Sequence, residues 1–170
     1  VLRDHTIAFQ TRHARIAYLT PSEGASDLYL HDPETGATQR VTSEPYGVHD
    51  FAISPDGRRA VISVNRDDSG SRDLWLINLD GSGREQLLRC DEQVCQTAAW
   101  SADGTRLAFE RRDLIQRAIG KLPGPARIWL LDVASKQAVQ LYADSQKIGS
   151  LPMWSPVDNR LAFVDSSDSA

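Results

Sequence analysis

Apolar residues along this chain come in short runs that stop at polar corners, as in FAISPDGRRAVIS at 51–63 and AAWSADGTRLAFE at 98–110. Alternation of this kind, bounded by Gly, Asp, Ser and Pro, predicts short antiparallel strands joined by tight turns. The runs also repeat. Arg15-Ile16-Ala17-Tyr18 returns as Arg59-Ala60-Val61-Ile62, Arg106-Leu107-Ala108-Phe109 and Arg160-Leu161-Ala162-Phe163, at spacings of 44, 47 and 54 residues. Leu28-Tyr29-Leu30, Leu74-Trp75-Leu76 and Ile128-Trp129-Leu130 form a second series, and SPDG at 54, SADG at 101 and SPVD at 155 a third.

Each unit reads as four strands: an apolar run into the corner, the RxAxx strand, the LWL strand and a weaker closing strand at 38–42, 84–88 or 138–142. Four-stranded units at this period match propeller blades rather than helical solenoids. The predicted fold is therefore all-β, a partial β-propeller of about three and a half blades at 5–42, 48–88, 96–141 and, incompletely, 150–164. Propellers close with about 4 to 8 blades. The expectation is that these residues belong to a larger propeller, with a ring-closing partner or self-association as the alternatives.

The corners themselves carry a chemical question, because Ser54 stands beside Asp56. Pro55 presets φ for a turn, Asp56 can accept hydrogen bonds from nearby backbone, and Gly57 suits the left-handed residue of a hairpin bulge. Ser101, Asp103 and Gly104 repeat the pattern, as do Ser155 and Pro156. A nucleophile needs a base within reach and has no reason to recur blade after blade. No G-x-S-x-G elbow occurs, so these residues are read as structural turns and no catalytic residue is expected in the chain.

With these motifs in place, 51–88 resembles the TolB-type β-propeller repeat, WSPDG followed by an IAF-type and an IYVMN-type strand. Residues 98–133 fit with an insertion, and 150–164 carry MWSPVDNRLAFV; Gln10-Thr11-Arg12-His13 departs from the corner pattern. The resemblance implies a non-catalytic scaffold or binding module for protein–protein interaction, periplasmic or extracellular, with a protein as partner. Similar blades cap the active site of prolyl-oligopeptidase-like serine peptidases, where a separate α/β domain is catalytic. That role, or a propeller lyase with a channel metal, is the alternative.

Composition narrows the partners. Acidic and basic residues are mixed and the net charge is −4, so the electrostatic footprint of a nucleic-acid binder is missing. No apolar run approaches the length of a transmembrane helix. The chain opens on Val1, so any targeting segment is expected to have been removed or to lie outside it. Cys90 and Cys95, close together in a polar connection, suit a disulfide in an oxidising compartment, with two free thiols as the alternative.

Superposed repeats put His5, His49, Gln96 and Ser150 where inner strands begin, at the mouth of the central channel. His5 and His49 could hold a metal or an anionic ligand, or could simply line a wet channel. His13 and His31 read as surface residues. Residues 65–73, NRDDSGSRD, resemble the start of a calcium loop, but Leu76 stands where the bidentate Glu belongs; a polar hairpin or a weak Ca2+ site remain. No other cofactor is expected. The insertion at 111–126 predicts a short amphipathic turn of helix or a projecting hairpin, with Arg112, Leu114, Ile115, Arg117, Ile119 and Lys121 as partner-contact residues. Trp75, Trp100, Trp129 and Trp154 read as packing between blades.

Overall fold

The computed structural model describes residues 15–22, 25–143 and 147–166 and contains only strands among them. Four antiparallel units follow one another along the chain, the second and third joined into one nine-stranded sheet. The first is β1 (Ile16–Ser22), β2 (Ala25–His31) and β3 (Thr38–Arg40), and the second is β4 (Val48–Ile53), β5 (Arg59–Asn65), β6 (Arg72–Asn78) and β7 (Glu85–Leu88). The third is β8 (Gln93–Trp100), β9 (Arg106–Arg117), β11 (Arg127–Asp132) and β12 (Ala138–Gln140), with β10 (Gly120–Pro123) hairpinned onto β9. β13 (Gly149–Trp154) and β14 (Leu161–Asp165) form the last. Within each unit all pairs are antiparallel, and one parallel bridge, Arg72 to Val94, links the second unit to the third. The architecture is that of a partial β-propeller, whose blades stack face to face.

The period of two along each strand explains the stacking. Ala60, Ile62 and Val64 of β5 enter one core with Leu28, Leu30, Val41, Val48, Ile77 and Leu79, between the first and second blades. Val61, between them on the opposite face, joins Leu74, Leu76, Leu87, Trp100, Leu107, Phe109 and Leu131 in a second core, between the second and third. A strand covered on both sides has no solvent face, so β5 is apolar from Ala60 to Val64 except at Ser63, which is buried and donates its hydroxyl to Cys95 O.

The corners at 54–57 and 101–104 are tight turns. Ser54 N–H donates to Arg59 O at 2.8 Å, and Gly57 N–H to Ser54 O at 2.8 Å with Gly57 at a φ of 68°. Ser54 Oγ donates to Asp56 Oδ1 at 2.5 Å, and Asp56 Oδ1 also accepts the Arg58 amide at 3.0 Å. Ser101, Asp103 and Gly104 reproduce this, and Ser155 N–H donates to Arg160 O at 2.8 Å in the fourth blade.

The insertion is a hairpin rather than a helical turn. β9 runs on past the blade, turns at 118–119 and returns as β10, pairing Arg117 with Gly120 and Leu114 with Pro123. No helix long and apolar enough to cross a membrane occurs among the described residues.

Candidate functional site

The inner strands β4, β8 and β13 pack side by side around the axis, and the beginnings of all three lie at one end. Each loses register just after its start, between Val48 and Asp50, between Gln96 and Ala99, and between Ser150 and Met153. Bulges re-aim side chains and recur beside functional sites. In the third and fourth blades the bulge contains a left-handed residue that is not glycine: Thr97 at a φ of 54° and Leu151 at 52°.

Both are held from the preceding blade. Asp50 Oδ2 accepts the Thr97 amide at 3.0 Å, and Glu110 Oε1 accepts the Leu151 amide at 2.8 Å. Glu110 is buried, and its second oxygen takes Arg112 Nη2 at 2.8 Å and Gln96 Nε2 at 3.3 Å. Arg72 crosses between blades, giving Nη1 to Gln96 Oε1 at 2.6 Å and Nε to Asn65 Oδ1 at 2.8 Å. Its Nη2 makes no hydrogen bond among the described residues, nor does the exposed ring of His49.

Electrostatics follows burial here. Desolvation, then the Arg72 charge, lowers the pKa of His49 from its ordinary value, against the opposing pull of Asp50, and the net shift favours the neutral imidazole. Burial raises Asp50, opposed by the Thr97 amide. Burial also lowers Arg72, with Asp50 opposing. The mouth thus combines neutral imidazole, hydroxyl and amide groups with one guanidinium that lacks a contacting carboxylate. It suits a ligand rich in hydrogen-bond acceptors.

Of the residues singled out in the sequence, His49, Gln96 and Ser150 lie at or beside these bulges, and His5 and His13 fall outside the described residues. No group of three His, Cys, Asp or Glu side chains among the described residues is placed to hold a metal ion. In 65–73, Ser69 N–H donates to Asp67 Oδ1 at 2.8 Å and Arg66 pairs with Asp73. Cys90 and Cys95 form a disulfide with a Cα–Cα distance of 6.2 Å, both fully buried.

The hairpin is anchored at its root and open at its tip. Arg112 is engaged by Glu110, Leu114 N–H donates to Glu92 O at 2.9 Å, and Lys121 Nζ meets Glu92 Oε1 at 2.8 Å. Ile115 is half-buried, Arg117 is exposed and Ile119 is 85% exposed. The tryptophans carry arginines: Arg84 lies 3.6 Å from the Trp75 ring centre, Arg111 4.4 Å from Trp129, Arg59 5.7 Å from Trp100 and Arg106 5.0 Å from Trp154.

Several residues with specific roles escape a sequence reading. Asp27 takes Thr42 Oγ1, the Glu44 amide and Arg40, and Asp73, its counterpart one blade on, takes the Cys90 amide, Arg66 and Gln86. The available signal was an Asp directly before the aligned Leu in both SDLYL and RDLWL. No local pattern marks Asp50 or Glu110.

No protein-family model matches the chain. A stretch of 97 residues, 55% of the chain, is 38% identical to dipeptidyl-peptidase 5 of Porphyromonas gingivalis. The corresponding protein of Porphyromonas endodontalis is 28% identical over 106 residues, 52% of the chain. The matches span 13% and 15% of those relatives' own lengths. In structure, 92% of the chain superposes on 36% of TolB from Acinetobacter baumannii with a TM-score of 0.68 and 19% sequence identity. The chain has the TolB-like β-propeller fold.

Proposed function

We propose that this chain is the propeller portion of a larger exported protein of the dipeptidyl-peptidase type, itself without catalytic residues, and that its channel mouth controls which ligands pass. The 38% identity with dipeptidyl-peptidase 5 is the observation that carries this reading. Local architecture supports it: the hydroxyls of Ser54 and Ser101 are engaged with Asp56, Asp103 and backbone as turn residues, while the end of the inner strands offers polar groups without partners among the described residues. The disulfide supports an oxidising, periplasmic or extracellular setting.

The test uses the intact protein and a serine-directed fluorophosphonate probe together with a dipeptidyl-coumarin substrate. Labelling outside residues 1–170 with release of coumarin, and neither from 1–170 alone, is the expected result. An intact protein that neither labels nor cleaves would remove the peptidase reading. The second reading, a TolB-like module binding another protein, is favoured by the superposition over nearly the whole chain. The exposed tip at Arg117 and Ile119 is the contact element in that case.

A further inference from the structure

Left-handed backbone is uncommon for residues other than Gly, Asn and Asp, and is unfavourable for a bulky side chain. Thr97 and Leu151 adopt it at one register, in successive blades, at the channel mouth. Leu151 is 55% exposed on the fourth blade, whose outer face no other blade covers among the described residues. Thr97, which has a following blade beside it, is itself only half-buried, so outward presentation belongs to the position. Strain enforced by a carboxylate from the blade before, at a position presented outward, is what a ligand-contacting position looks like.

We propose that Thr97 and Leu151 are the ligand-contact residues of the channel mouth, that Asp50 and Glu110 are the positioning residues presenting them, and that the ligand is an extended peptide. The choice of a peptide rests on the peptidase reading. It fits the chemistry: Thr97 Oγ1 and Arg72 Nη2, both without hydrogen-bond partners among the described residues, can donate to peptide carbonyls, and Leu151 offers apolar area to a side chain. His49, neutral and exposed, adds a donor or an acceptor. Asp50 and Glu110 act through geometry. Each removes the freedom of an amide to turn away, so the bulge holds its side chain at the rim before the ligand arrives.

The experiment is fluorescence anisotropy of a fluorescein-labelled octapeptide of alternating Leu and Gly with the intact protein pre-treated with the fluorophosphonate, so that the peptide stays whole and only binding is read. Leu151→Ser is expected to weaken binding at least five-fold with an unchanged melting temperature. Thr97→Gly, which relieves the left-handed strain, is expected to raise the melting temperature while weakening binding. Asp50→Asn keeps an acceptor for the Thr97 amide and is expected to bind within two-fold of the parent, whereas Asp50→Ala weakens binding several-fold. Unaltered affinity in both Leu151→Ser and Thr97→Gly overturns the proposal, as does a parent protein that does not bind the peptide. Binding without peptidase activity would remove the peptidase reading and leave these contacts standing.

Discussion

Asp56 and Asp103 hold the same place in successive corners and Asp158 the next place along in the fourth, and each carboxyl is held below its ordinary range first by the hydroxyl of the corner serine, Ser54, Ser101 or Ser155. Asp103 is pushed furthest, from 3.8 to about 2, because the Thr105 amide and hydroxyl add to the Ser101 bond. A depressed folded-state pKa contributes stability above the unfolded value, and that contribution is lost as pH falls through the folded one. We expect the Asp103 carboxyl to titrate by NMR with a midpoint of about 2. Thermal melts between about pH 4 and about pH 2 should show a shallower acid decline for Asp103→Asn than for the parent. Asp50 has the opposite sign: burial raises its pKa, so its ionisation opposes folding as pH rises. These two aspartates also mark what a sequence can disclose. Corner residues are legible because their partners lie two to five positions away, whereas Asp50 and Glu110 bond amides 47 and 41 residues distant, in another blade. Repeats align blades with each other but do not say which side chain of one reaches the next.

Among elements, the link from β7 to β8 is constrained by a disulfide and by hydrogen bonds from the second blade. It leaves the outer edge of the second blade and starts the inner strand of the third, whose bulge carries Thr97. Asp73 takes the Cys90 amide at 2.7 Å, Ser63 Oγ donates to Cys95 O at 2.7 Å, and the disulfide closes the turn between them. The cysteines are 5 residues apart, and closing so short a loop stabilises the fold by about 2 kcal/mol in the chain-entropy account. Urea denaturation of a Cys90→Ser/Cys95→Ser variant should show a loss of about this size. No loss would mean that Asp73 and Ser63 hold the crossover by themselves. The hairpin of β9 and β10 shows the limit of periodicity at this scale. Leu114, Ile115, Ala118, Ile119 and Leu122 fit helical spacing, yet β9 is already paired with β8 and β11 and extends its own ladder more readily than a helix could nucleate beside it.

At the scale of the molecule, the same period of two that sorts β5 into two cores continues into the fourth blade. Phe163 and Trp154 are half-buried on one face of β13 and β14, while Met153, Ala162 and Val164 share the other, Met153 at 63% and Val164 at 49% exposure. Ala108, the counterpart of Ala162 one blade earlier, is fully buried beneath the fourth blade. The exposed face therefore has the character of a stacking surface. Apolar sheet faces of this kind drive association when left in water. Residues 1–170 produced alone should bind the dye ANS and sediment as concentration-dependent oligomers, and the intact protein should do neither. Met153→Lys with Val164→Lys should return the isolated chain to a monomer without altering its far-ultraviolet circular dichroism, since both side chains point away from the blade that supports them. A monomeric, dye-silent parent fragment would mean that this face needs no covering blade, and that the four units form a self-sufficient arc.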